Sequence, residues 1–228
     1  MIVFLDFDGV VVDSIEECYQ VSFETYFGYA KFAFSEIEYK NLFYKYRGLV
    51  GPAREYLCLH RAIEEYLMIV NGEACDHING LFHKAVAQVH VDEADNFEKK
   101  FFYTRSLYQE RDFYGWIELN PLTEFGKSLV NQVNDNVYII TTKNRHATEA
   151  ILGYYRIPVK AIYANDEIKQ ARNKGALISE LLDKNSEEEA IFIDDNVAHL
   201  NSVKDNRVSC FFAGWGYGEN TSYQEYEF

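Results

Sequence analysis

The chain is predicted to be an α/β protein, a doubly wound parallel sheet with an α-helical domain inserted after its first strand. Three observations predict it. Short, almost wholly apolar runs at Ile2–Asp6, Val137–Thr141, Val159–Tyr163, Ala190–Asp194 and Val208–Phe212 have the pattern of strands buried on both faces. Helical stretches separate the later runs, at Leu122–Val133, Arg145–Tyr154, Gly175–Leu182 and Val197–Val203. Three of the runs end in polar groups, at Asp6, Thr141 and Asp194/Asp195, and ligands of such folds bind outside the carboxyl ends of the strands.

The first run delivers two carboxylates, Asp6 and Asp8, two positions apart and followed by Gly9. Period-two spacing sends both to one side, and at ~4 Å two like charges repel by about 4 kcal/mol at an effective dielectric of ~20. A cation is required between them, and a hard divalent metal with oxygen ligands is the simplest. From Ile15 to Ile117 the chain has no comparable β-branched runs. It is filled instead with helix-compatible segments such as Ile15–Phe27, Pro52–Val70, Cys75–His90 and Asp92–Tyr114. The expected division is a core of residues 1–14 and 118–228 and a helical domain of residues 15–117. Asn120-Pro121 restarts the core, with Asn placed to cap a helix and Pro at its first position. Asn144 is placed to cap the helix after the second run. The run ending at Asp194 and Asp195 buries a strand directly against two anions, which again demands a cation.

A net charge of −14 argues against general binding to nucleic acid or to an anionic membrane, both of which need a basic face. A phosphorylated small molecule remains open, because a bound metal and local cations can dominate the field of a site. No stretch approaches the ~20 apolar residues that span a bilayer. The N-terminal run lacks a basic leader and is broken by Asp6 and Asp8, so the expected location is cytoplasmic. Cys18, Cys58, Cys75 and Cys210 show no close-paired spacing and read as reduced structural thiols. His77, His83 and His90, in one helical stretch, read as structural. The high aromatic share reads as dense core packing. The oligomeric state, monomer or homodimer, stays open.

The segment Asp6-Phe-Asp8-Gly9-Val10-Val11-Val-Asp13-Ser14 resembles the signature of the haloacid dehalogenase-like hydrolase superfamily. Three further motifs follow in order. Thr141-Thr142-Lys143-Asn144 resembles the second, a strand ending in a hydroxyl residue. Lys174-Gly175, opening a helix, resembles the third, with Lys169 as competitor because the loop from Asp166 to Lys174 looks long. Ile191-Phe-Ile-Asp194-Asp195-Asn196 resembles the fourth. Ala213-Gly-Trp-Gly-Tyr-Gly218 resembles the terminal turn of the phosphoglycolate-phosphatase-like branch, and no catalysis is assigned to it.

The resemblance implies a Mg²⁺-dependent phosphatase of a small phosphorylated metabolite, with the helical insertion as its cap. Asp6 is the implied nucleophile and Asp8 the acid and base. Thr141 and Lys174 hold the phosphoryl oxygens. Mg²⁺ is held by Asp6, the Asp8 carbonyl and Asp195, while Asp194 is a second ligand or the partner of Lys174. Gly9 and Thr142 are implied substrate contacts of the core. In the cap, Arg47 and Arg54 flank a glycine-bearing turn that resembles a specificity loop. A sugar-phosphate mutase shares every core residue. A dehalogenase or a phosphonate hydrolase, the latter with a cap lysine at Lys31, Lys40 or Lys45, is disfavoured by Asp8. A non-catalytic scaffold is disfavoured by the intact set of charges.

Overall fold

The structure is a computed structural model describing all residues except 29, 31, 70–76, 133–134, 186–188 and 221. Expectations that fall on Lys31, Val70, Cys75 and Val133 lie outside the described residues. By internal packing the chain divides into two compact units, Met1–Ser14 with Asn120–Phe228, and Ile15–Leu119.

Five strands form the sheet: β1 (Ile2–Leu5), β2 (Val137–Ile140), β3 (Ala161–Tyr163), β4 (Ala190–Asp194) and β5 (Val208–Phe212). Their order is β3-β2-β1-β4-β5 and every pairing is parallel. Leu5 pairs with Ile139 on one side and Ile193 on the other, so the next residue of β1, Asp6, stands level with Asp194. This register brings the first and fourth runs together at one edge. The central strands are buried, whereas β3 is only half-buried and Ser209 of β5 is exposed. Both are edge strands, with one neighbour each. Burial on both faces therefore describes β1, β2 and β4 but not these two.

The helical unit contains α1 (Ile15–Phe27), α2 (Glu36–Tyr46), α3 (Tyr56–Ile69), α4 (His77–Gln88), α5 (Val91–Arg111) and α6 (Phe113–Glu118). The expected helix Asp92–Tyr114 is two helices. Asp112 leaves the helical region at φ −155° and ψ 90°, and its Oδ1 accepts from Gly115 N at 3.0 Å to cap α6. The expected Pro52–Val70 helix opens as a 3₁₀ turn, Ala53–Glu55. The core of this unit is largely aromatic, with Tyr19, Tyr39, Phe43, Tyr56 and Phe101 all buried. A buried ion pair crosses it: Glu17 accepts from Arg105 Nε at 2.6 Å and Arg105 Nη2 at 2.9 Å, and from Trp116 Nε1 at 3.2 Å. His90 caps α5, its Nδ1 accepting from Asp92 N at 3.3 Å. Among the described residues, Cys18, Cys58 and Cys210 form no disulfide.

His60 is fully buried here, its ring stacked with Tyr26 at 5.0 Å and Tyr39 at 5.8 Å. Burial pushes its imidazole down from 6.5 to about 3. A native state that keeps His60 neutral binds fewer protons than the unfolded chain below pH 6.5, so stability is lost as pH falls from there toward 3. The expected loss is about 1.4 kcal/mol per pH unit. Denaturant unfolding followed at Trp116 in a Trp215→Phe background, at pH 7 and 5.5, should show a steeper acid loss than in the same background carrying His60→Gln. Equal slopes would refute it.

In the sheet unit, α7 (Glu124–Ser128), α8 (Arg145–Tyr155), α9 (Asn165–Ala171), α10 (Lys174–Asn185) and α11 (Val197–Ser202) follow the strands. The face of Ile2, Phe4, Tyr138, Ile140 and Phe192 is packed with residues of α9, α10 and α11. Pro121 does not open α7. Thr123 does, its Oγ1 accepting from Gly126 N at 2.9 Å and donating to Val10 O at 2.7 Å. The stretch read as a long loop before Lys174 holds α9. No hydroxyl or Asx residue caps it; instead Glu167 reaches back to accept from Ala164 N at 2.9 Å. Asn173 Oδ1 then accepts from Ala176 N at 2.8 Å, so Lys174 begins a new helix. Among the described residues no helix is long and apolar enough to cross a membrane.

Candidate active site

Every group in this site belongs to the sheet unit. Asp6 leaves β1 with its N–H bonded to Ile193 O at 2.9 Å, which carries the chain past the sheet edge before it turns. Gly9 makes that turn possible. Its φ of +84° is a left-handed conformation open to glycine, and a Cβ there would overlap the Asp195 carboxylate. The turn closes through Gly9 N to Val12 O at 2.7 Å and Val11 N to Phe7 O at 2.9 Å. Asp8 projects from it and accepts at Oδ1 from Ser14 Oγ at 2.6 Å and Lys143 Nζ at 3.0 Å.

Lys174 is 1% exposed and its ammonium lies 2.8 Å from Asp6 Oδ1 and 2.7 Å from Asp194 Oδ2. Burial works against its charge, yet the two carboxylates outweigh that and raise its pKa. Burial, reinforced by the Asp194 charge, pushes Asp6 up to about 6 against the opposing pull of Lys174 and His199. Asp194 moves the other way. Burial opposes its ionisation, but Lys174 and His199 overcome this and hold it at about 2. Lys169, the competitor, is exposed on α9. The glycine after Lys174 matters too: a Cβ on Gly175 would overlap the backbone of Ser202, so the start of α10 can sit directly on the end of α11.

Thr141 is buried at the end of β2, its N–H bonded to Tyr163 O at 2.9 Å. Its Oγ1 accepts from Lys143 N at 3.0 Å, so the hydroxyl proton is free to point to another acceptor. Thr142 beside it is half-buried. Asn144 occupies the N-cap position of α8 but makes no side-chain cap bond. Asp195 is buried, with Tyr217 N donating to its Oδ2 at 2.6 Å.

No family model matches the chain, and no curated protein matches it in sequence. Solved structures do. A predicted phosphoglycolate phosphatase of Haemophilus somnus 129PT superposes with a TM-score of 0.60 at 14% identity, over 96% of this chain and 88% of that one. A haloacid dehalogenase-like hydrolase of Streptococcus pneumoniae gives 0.55 at 18% identity, over 95% and 86%. CbbY of Rhodobacter sphaeroides, solved with phosphate, gives 0.53 at 16% identity, over 98% and 91%. The fold is the haloacid dehalogenase-like one.

Within the haloacid dehalogenase-like sheet unit the structure gathers Asp6, Asp8, Gly9, Thr141, Lys174, Asp194 and Asp195 at the carboxyl edge of β1, β2 and β4. Three residues that sequence reasoning passed over join them. Lys143 is 2% exposed and pairs with Asp8; a lysine just past a strand end between two polar residues was the available signal. His199 lies four residues past Asp195, on α11, and contacts Asp194. Tyr217 contacts Asp195 from the terminal glycine turn, and its hydroxyl accepts from Ser14 N at 2.6 Å and donates to Asp13 at 3.1 Å. That turn is therefore packed structure: a Cβ on Gly216 or Gly218 would overlap Asp195. Its signal in the sequence was the resemblance of Ala213-Gly-Trp-Gly-Tyr-Gly218 to a family turn, which said nothing of a contact with Asp195.

The donor set suits a hard divalent cation. Four carboxylates (Asp6, Asp8, Asp194 and Asp195) meet two ammonium groups (Lys143 and Lys174), which leaves two negative charges uncompensated by lysine. Asp6, Asp194 and His199 each offer a ligand atom within 4.8 Å of the others.

Arg47 and Arg54 belong to the helical unit. Arg47 is buried, donates from Nη1 to Val50 O at 3.0 Å and stacks over Tyr56. Arg54 lies 3.6 Å from Asp95. Both groups brace their turn and helix from within that unit.

Lys143 carries a sharp expectation. Removing one preorganised donor aimed at developing negative charge costs on the order of 10²–10³ in rate. Were this site to transfer a phosphoryl group, Lys143→Met should lower kcat on an aryl phosphate by about that much, read by steady-state kinetics. An unchanged kcat would leave Lys143 a purely structural partner of Asp8.

Proposed function

We propose that this chain is a metal-dependent phosphatase that takes the phosphoryl group of a small phosphorylated metabolite onto Asp6. The observation that carries the reading is the division of labour between the two N-terminal acids. Asp6 is paired with Lys174, and Asp8, two residues on, is held separately by Lys143 and Ser14. Two carboxylates in different environments suit a nucleophile and a proton-transfer group.

Asp6 attacks phosphorus as the carboxylate, forming an aspartyl-phosphate as the bond to the leaving oxygen breaks. Protonated Asp8 gives its proton to that oxygen. Asp8, now a carboxylate, takes a proton from water, whose oxygen attacks the phosphorus and releases Asp6 and inorganic phosphate. Lys174 and Thr141 are assigned to the phosphoryl oxygens. A Mg²⁺ held by Asp6, Asp195 and the Asp8 carbonyl would offset repulsion between these carboxylates and the phosphate. A structural neighbour described as a predicted phosphoglycolate phosphatase, and the phosphate held by another neighbour, CbbY, support the same reading. The helical unit is assigned the choice of substrate.

The test is phosphate release from a panel of phosphorylated metabolites, with and without Mg²⁺. Mg²⁺-dependent release is expected. Isomerised sugar phosphate without release, or no turnover by the folded protein in either condition, would overturn the proposal.

A further inference from the structure

His199 lies outside the mechanism above, yet it touches the most buried carboxylate of the site. Asp194 is 0% exposed, and its oxygens are engaged on every side. Oδ2 accepts from Lys174 Nζ at 2.7 Å and from His199 Nδ1 at 3.1 Å. Oδ1 accepts from Asn196 N at 2.8 Å and from the same His199 Nδ1 at 3.2 Å. Both partners of Nδ1 are carboxylate oxygens, so Nδ1 carries the proton and its lone pair is not free for an ion.

We propose that His199 is a positioning residue that, through Asp194, holds the Lys174 ammonium against Asp6. This rests on the phosphatase reading, which supplies the incoming anion that a fixed Lys174 would serve. A lysine side chain has about 2 kcal/mol of rotamer entropy and sits in one place only when its protons are committed. Asp6 and Asp194 take two of the three, which fixes Nζ and leaves the third for a phosphoryl oxygen. Asp194 can anchor the lysine only if it is itself immobile, and the bifurcated His199 bond with the Asn196 amide makes it so.

A second connection between the same helices fixes where His199 stands. Ser202 Oγ donates to His199 O at 2.6 Å and accepts from Gly175 N at 3.0 Å. The helix of His199 is thereby bonded to the residue after Lys174. Side chain and main chain thus constrain Lys174 from α11 independently. Proximity of His199 to Asp6 and Asp194 also suits a metal ligand, but the protonated Nδ1 assigns it to Asp194.

The experiment compares the wild-type chain with His199→Leu and His199→Asn, whose side-chain amide can donate from near the Nδ1 position. Loss of an outer-shell orienting group typically costs about 10–100-fold. In His199→Leu, kcat on an aryl phosphate should fall by about that factor with KM nearly unchanged. Mg²⁺ affinity by calorimetry should stay within about threefold, and His199→Asn should recover most of kcat. A matching collapse of Mg²⁺ affinity would make His199 an ion ligand, and an Asn variant as slow as Leu would reduce it to packing; either overturns the proposal. A double-mutant cycle of His199→Leu and Lys174→Met, read by unfolding of the metal-free protein, needs no turnover. The unfolding constants should depart from multiplicativity by at least about twofold, as coupled neighbours do, and multiplicative effects would refute the link. Should the wild type release no phosphate, the phosphatase reading fails while this cycle still decides the link.

Discussion

Asp6→Asn is expected to abolish phosphate release, by at least about 10⁴-fold, without weakening the fold. A nucleophile lost from a concerted site removes most of its rate enhancement, because the remaining groups have nothing to act on. The stability half follows from burial. Asp6 has a folded pKa of about 6, above the ordinary 3.8, so the folded state holds its proton more tightly than the unfolded chain does. Between those values stability falls as pH rises, so near neutrality the buried, ionised carboxylate works against folding in the metal-free protein. Asn carries no such charge, though Lys174 loses one of its two partners. The variant should therefore equal or exceed the wild type in stability at pH 7, with the difference shrinking toward pH 4. Urea unfolding of the metal-free proteins at both pH values reads this directly. A variant markedly less stable at pH 7 would show that the Lys174 contact, not the buried charge, dominates.

The second large effect is in the helical unit. Arg105→Leu leaves Glu17 fully buried without the guanidinium that now holds both of its oxygens. Breaking such a pair from one side costs about 3–5 kcal/mol, because the remaining charge keeps its desolvation penalty. Replacing both members, as Glu17→Met with Arg105→Leu, should cost much less than the single change. Thermal unfolding of the three variants gives the comparison. A double variant at least as damaged as the single would show that the packing around Trp116, rather than the stranded charge, sets the cost.

The sheet was legible because its signals are local and strong. Apolar runs ending in acid occur at Asp6 and at Asp194, and the register that brings them level follows from parallel pairing. The structure packs Ile15–Leu119 as a unit of its own, over a stretch in which the sequence has no β-branched runs like those of the sheet. What escaped reading depended on contacts between distant segments. Helix α9 has a carboxylate reaching back from Glu167 where a hydroxyl cap would announce a helix. The break at Asp112 looks like one more polar residue until its cap to Gly115 is seen. Lys143, His199 and Tyr217 take their meaning from Asp8, Asp194 and Asp195, which lie far away in sequence or only within reach once the helix has turned.

The most direct test of the central claim is where the phosphoryl group goes. Acid-quenched protein, taken during turnover of a phosphorylated substrate with Mg²⁺, should carry a hydroxylamine-labile phosphoryl group on Asp6 when its peptides are read by mass spectrometry. Turnover with the phosphoryl group on any other residue would contradict the account, as would turnover with Asp6 unmodified at every quench time.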